Sequence, residues 1–352
     1  MKIETARYTS GRIALANLSS SIEGLERRAV EGARFEDLAT LSDLLFLRGD
    51  LLGRIADHDR AEAVVEEACP ATFDALVIRA RLAERFHRFD DAHALLDRAT
   101  LSGGTNPKIQ ATRAALLQAT GNFDDALELR KRLALDDHGI HSIGALATLL
   151  AEMGQWTRAE ELYAQAVNAD DGVSPLPCAQ LLFEWGVGAM RHGELERAEE
   201  IFVQLEAILP AHVPGRGHRA EVALARGQAD VAAALIEPLL VASDDPEYVA
   251  IHAEILAARG NAVGAMREAR RASAAYESLL ARRPEAYADH AAAFFMGIGG
   301  RPRLALELAT KNHALRDTPR SRRLLARAWQ AAADCRAPAR ADCTGEFGRR
   351  SA

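Results

Sequence analysis

The residue types that could do chemistry gather most densely at Asp136, Asp137, His138 and His141. Two histidines three apart on a helix can present both imidazoles on one side, with carboxylates as further ligands or as partners that orient the rings. The stretch falls between two helical segments, where caps and solvated polar residues belong, so it reads as a loop and no metal is expected there. The sequence has no glycine-rich phosphate loop, GxSxG elbow or HExxH pair. Glu160 with Glu161, and Glu199 with Glu200, read as solvated helix faces. His290 lies near Phe294 and Phe295, but no nucleophile is set beside it, so it reads as a satisfied or surface-lining histidine and not as a base. Cys69, Cys178, Cys335 and Cys343 lack zinc-ribbon or redox spacing and read as free thiols of a reducing compartment. No catalytic residue and no cofactor is expected.

The elements that would position these residues are helices. Alanine, leucine, arginine and glutamate dominate, only 12 prolines interrupt, and aromatics are 5% of the 352 residues. Alternating β-branched runs are missing over any useful length. No apolar run is long enough to span a bilayer, and Met1 to Glu23 lacks the apolar centre of a signal peptide. A cytoplasmic protein is expected, the alternative being an exported one met without its leader. The net charge of −7 hides an asymmetry: from Arg301 onward there are 12 basic against 5 acidic residues. The acidic body argues against a nucleic-acid-wrapping surface, because phosphate binding depends on clustered basic residues. Arg320, Arg323 and Arg327 can share one helix face, which reads as a solubilising cap.

A phase marker recurs along the chain. Ala61, Ala92, Ala126, Ala159, Ala198, Ala232, Ala265 and Ala305 are separated by 31, 34, 33, 39, 34, 33 and 40 residues. Twelve positions before each stands Gly49, Ala80, Ala114, Ala147, Gly186, Ala220, Ala253 or Ala293. Where two antiparallel helices cross closely, only a hydrogen or a methyl fits between the backbones. Gly121, Gly154, Gly193, Gly227 and Gly260 supply the sharp stops between paired helices. The segment Gly154–Asp171, with Trp156, Ala159, Tyr163 and Ala166 after its turn glycine, resembles the second helix of a tetratricopeptide repeat, a family with a 34-residue period.

The resemblance implies an all-α fold: a right-handed α-solenoid of antiparallel helix pairs wound into a superhelix. Residues 1–40 are expected to form an N-terminal arm and capping helix, with a helix over Ile22–Ala39. Residues 41–333 would hold about eight units and a capping helix, Pro319–Ala333, and residues 334–352 a disordered tail. The two long steps, near Asp171–Pro177 and Ala281–Tyr287, should extend a loop or a helix end. Pro214 and Gly217 should shorten the first helix of their unit.

In this family the first helices line the concave face, where peptides bind. Carried over, the register puts Asp50, Arg54, Arg81, Glu84 and Arg85 at the inner face of the early units. Ala111, Ala115, Gln118, Thr148 and Glu152 follow, then Phe183, Val187, Arg191 and Glu221, and finally Glu254, His290 and Phe294. The subfamily that clamps acidic chaperone tails uses lysine, arginine and asparagine at set inner sites. Here those sites hold Asp43, Phe46, Val77, Ala111 and Ala115, so that clamp is absent.

The resemblance thus implies a non-enzymatic adaptor or scaffold that holds a protein or peptide segment in its groove to assemble or regulate a complex. The alternative is a ligand-responsive regulator or accessory protein for a small peptide, metabolite or metal, and behind it an enzyme built on the solenoid. Monomer and homodimer are both left open.

Overall fold

The structure is a computed structural model that describes residues 7–30, 32, 34–68, 72–103 and 106–335. The expected tail from residue 336 on, Cys69 and Cys343 fall outside the described residues. Among the described residues every regular element is a helix. α1 (Gly11–Val30) precedes the antiparallel pairs α2/α3 (Phe35–Leu52, Ile55–Ala68), α4/α5 (Phe73–Arg85, Phe89–Gly103), α6/α7 (Pro107–Thr120, Phe123–Asp136) and α8/α9 (Ile140–Glu152, Trp156–Ala169). Then come α10/α11 (Leu176–Arg191, Leu195–Ile208), α12/α13 (Val213–Ala225, Ala229–Ile236), the short α14 (Leu239–Ala242), α15/α16 (Pro246–Ala258, Ala262–Arg282), α17/α18 (Pro284–Met296, Pro302–Leu315) and α19 (Pro319–Asp334). The architecture is an α-solenoid.

The markers do what their size suggests. Ala61, Ala92, Ala126, Ala159, Ala198, Ala232 and Ala305 have no exposed surface. Of their partners, a Cβ added to Gly186 would lie 2.5 Å from the ring of Phe202, so the crossing of α10 on α11 has no room for a methyl. The five turn glycines all sit at φ between 73° and 91°, a left-handed conformation that costs other residues strain. In the α4/α5 turn that place is taken by His87 (φ 56°).

Four expectations are corrected. The N-terminal helix is α1, and Gly32 at φ 99° separates it from α2, so Ile22–Ala39 is not one helix. α12 keeps full length through Pro214, because proline sits in the first turn where its missing N–H is harmless. Gly217 admits Tyr248 at that helix surface, with an added Cβ only 2.6 Å from the ring. The break falls instead after α13, where Pro238 interrupts the second helix. In α17 the buried alanine is Ala292, while Ala293 is exposed, a slip of one residue. Finally, Glu160 is not merely solvated: its Oε1 accepts from Trp185 Nε1 (3.3 Å) and Arg197 Nε (3.0 Å). The two long steps resolve differently. The first is a loop around Asp170–Pro175, and the second is the extra length of the 21-residue α16.

The solenoid meets itself. Hydrogen bonds join residues 188 to 224 positions apart, among them Asp244 to the backbone N–H of Ile55 (2.7 Å) and Asp59 to Arg282 (2.8 Å) and Arg283 (3.0 Å). One core cluster accordingly unites side chains of α1–α3, such as Ile22 and Leu41, with those of α8–α11, such as Tyr163 and Phe202. Roughly six helix pairs therefore make one turn of the superhelix, and its groove becomes a half-open hollow.

Gly186→Leu should destabilise by about 1–3 kcal/mol through overpacking against Phe202, whereas Glu161→Leu on the exposed face of α9 should do little. Chemical denaturation followed by circular dichroism reads both.

Candidate functional site

The first helices α2, α4, α6, α8, α10, α12, α15 and α17 carry the polar residues of the inner face, and many of these pair from one helix to the next. Arg81 meets Asp43 at 2.7 Å and Arg85 meets Asp50 at 3.0 Å, both reaching from α4 to α2. Asp50 also lies 3.1 Å from His58 Nε2. Gln118 donates to Glu152 at 3.0 Å, and Glu152 lies 3.9 Å from Arg191. Burial alone would raise the Asp50 carboxyl, but Arg85 and His58 together hold it below its ordinary value. Burial pushes the Glu84 and Glu184 carboxyls up and the Arg191 guanidinium down.

The main hollow, about 590 Å³, lies between α4, α6, α7, α8, α10 and the α18–α19 end of the chain. Its floor is small: Ala115, Ala119 and Ala145 leave the space open, while Gly144 and Gly188 make room for Leu181 and Trp156 at its wall. Hydrogen-bonding groups stand around it, with Tyr163 donating to Thr148 Oγ1 at 3.0 Å. Thr148, Gln118, Gln180, Glu84, Glu152, Glu184 and Arg191 all line it. A second hollow of about 610 Å³ lies between α2, α4 and α6, beside Asp43, Arg81 and Ala111.

Of the residues picked out by register, the structure brings Glu84, Thr148 and Arg191 to the main hollow, together with Ala115, Gln118 and Glu152. Asp50, Arg81 and Arg85 lie on the inner face but already have ion partners. Arg54 is exposed in the turn after α2, not on a first helix. Phe183 is half-buried, with its ring centroid 5.2 Å from that of His212 and 5.6 Å from that of His218. Val187 is a core residue. Glu254 is exposed on α15. Phe294 is in the core, stacked on Tyr276 and edge-on to Phe295, because the one-residue slip in α17 rotates it inward.

Register missed Arg130, Glu184, Arg316, Arg320 and Arg323 at the hollow. Arg130 belongs to a second helix, and the three C-terminal arginines come round only because the superhelix closes. The signal for them was the basic excess after Arg301. Arg322, by contrast, points to Asp317 on the outside (2.9 Å). The stretch expected as a loop is partly helical: Asp136 ends α7, and His141, in the first turn of α8, lines the hollow, whereas His138 does not. Asp137 accepts from Gly139 N (3.0 Å) and Ser142 Oγ (2.8 Å). Among the described residues no group of three or more histidines, cysteines and carboxylates could hold a metal, and no helix is long and apolar enough to cross a membrane.

No family model matches the sequence, and no curated protein matches it significantly. Solved structures do. A Rap protein complexed with competence and sporulation factor is similar with a TM-score of 0.53 at 12% identity, over 90% of this chain and 99% of that one. The APC/C hetero-tetramer Cut9–Hcn1 is similar with a TM-score of 0.50 at 14% identity, over 84% of this chain and 55% of that one. A tetratricopeptide repeat protein from Parabacteroides merdae ATCC 43184 gives 0.47 at 17% identity, over 72% and 93%. At the level of the fold, the chain is similar to tetratricopeptide-repeat-like solenoids. In a solenoid that closes after one turn, inner-face charges face one another across the hollow as well as along it.

His290 shows the consequence. Its Nδ1 lies 3.5 Å from Glu247, and its Nε2 lies 3.9 Å from Asp289, which also holds Arg316 and Arg320. Asp289, and against the cost of burial Glu247, push the imidazole up to about 9, with Arg320 opposing. A base whose pKa rises on folding adds stability that is complete below its unfolded value, about 6.5, and fades as pH climbs through the folded one. The melting temperature should therefore fall between pH 7 and about 9.5 more steeply in the wild type than in His290→Asn, as calorimetry at fixed ionic strength would show.

Proposed function

We propose that the protein is a non-enzymatic scaffold that holds a protein or peptide segment against its inner face, and so assembles or regulates a complex, in the cytoplasm. The hollow between α6, α8, α10 and α19 carries this reading. Its volume, about 590 Å³, falls in the range of ligand sites, and its wall combines a smooth floor of alanine with a few convergent polar groups. A narrow, extended segment suits that shape, because backbone can lie on the small residues while side chains meet Thr148, Gln180 and the charges. The Rap protein was solved with a bound factor and Cut9 with Hcn1, so solenoids of this form do accommodate other molecules. The residues proposed to meet the segment are Glu84, Thr148 and Arg191 at the hollow, flanked by Arg81, Arg85 and Phe183.

The test is affinity capture of partners with the wild-type chain, followed by direct titration of the segment identified. Ala115→Trp, which fills the floor, and Arg191→Ala should each weaken binding about thirtyfold, the loss of a well-packed anchor, with the helical signal intact. Arg132→Glu on the outer face of α7 should change nothing. Normal binding by both inner variants and loss in the outer one would refute the reading.

A further inference from the structure

The main hollow holds more positive than negative charge. Arg130 reaches it from α7, Arg191 from α10, Arg316 from the link before α19, and Arg320 and Arg323 from α19, against Glu84, Glu152 and Glu184. Two of the cations are already answered from outside the hollow, since Arg316 and Arg320 share the buried Asp289. Among the described residues Arg191 has only the distant Glu152, at 3.9 Å. Arg130 Nε is buried with no hydrogen-bond partner, and among the described residues neither Arg130 nor Arg323 has a carboxylate within ion-pair distance. Arginine stays protonated in proteins, so this charge cannot be shed by titration.

Proximity sharpens the imbalance. Partial burial disfavours the charged forms of Arg130, Arg191 and Arg316, and the charge of Arg320 adds to the pressure on Arg191. Burial also pushes the Glu84 and Glu184 carboxyls up, so the local anions are the weaker half of the balance. Cations on α7 and α10 thus face cations on α19, a helix that returns to them only after a full superhelical turn. Guanidinium groups set this way are suited to share an oxyanion bidentately.

We propose that this hollow binds an anionic group, a carboxylate or a phosphate borne on a small or narrow ligand, between Arg130 and Arg191 on one side and Arg320 and Arg323 on the other. The occupant then fastens the C-terminal end of the superhelix to its middle. The proposal rests on the inner face being the binding face, but it needs no protein partner.

The full chain is titrated calorimetrically with sodium pyrophosphate and, separately, with a synthetic tri-aspartate peptide, ionic strength being held constant with sodium chloride. At least one probe should bind saturably with one site, at a Kd below about 1 mM, and raise the melting temperature. Tighter pyrophosphate binding would assign a phosphate-bearing ligand, and tighter tri-aspartate binding a carboxylate-bearing one. Arg130→Gln combined with Arg323→Gln breaks no ion pair. It should weaken the probe at least tenfold while leaving the probe-free melting temperature unchanged or higher. Should that variant lose helical signal, Arg323→Gln alone serves, with an expected loss of at least threefold. The proposal fails if neither probe saturates, or if the variants bind as the wild type does. A captured segment that still responds to Ala115→Trp would then leave the groove reading standing without the anion site.

Discussion

Arg283 stands where the chain meets itself. Its guanidinium lies 2.8 Å from Asp59 and 2.7 Å from Glu62, both on α3, and 3.6 Å over the ring of Phe86. Asp59 also takes Arg282, and Glu62 also takes Arg88. An arginine held between two carboxylates and an aromatic face is well satisfied in a partly dry place, which a single exposed ion pair is not. Around it the backbone of one turn caps the next: Asp244 accepts from Ile55 and Ala56, and Glu285 offers its carbonyl to His87 at 3.0 Å. His87 occupies the left-handed position that glycine fills in seven other turns, and its ring gains that contact in exchange for a strained φ.

This closure turns a groove into a hollow. In an open solenoid the first helices face solvent and their charges are screened. Here α19 lies opposite α8 and α10, so Arg191 faces Arg320, and the carboxyl of Asp289 is held by His290, Arg320 and Arg316 against the cost of burial. The fold's repeat and the site's electrostatics therefore have one origin, the number of helix pairs that complete a turn.

The local grammar of the fold was legible in the sequence, and its long-range consequence was not. Ala159, Ala198 and Gly186 announce tight crossings because their smallness has one use at that spacing. Gly154 and its equivalents announce turns because only a left-handed residue ends those helices. Register alone, however, cannot see a one-residue slip such as that of Ala292 for Ala293, and the slip moved Phe294 from the groove to the core. Nor can it see that Arg320 and Arg323 come back to Thr148 and Arg191. Superhelical pitch is set by small rotations between units, summed over roughly six pairs, and no single residue records that sum.

The hollow and its electrostatics depend on the turn closing in solution. A double-mutant cycle on Glu62→Gln and Arg283→Gln measures this directly, since these residues lie in α3 and just after α16 and can touch only across the seam. Closure predicts a coupling energy of at least about 0.5 kcal/mol in denaturant unfolding, as residues in contact show. Strict additivity of the two substitutions would mean that the superhelix is open, and that the hollow does not exist.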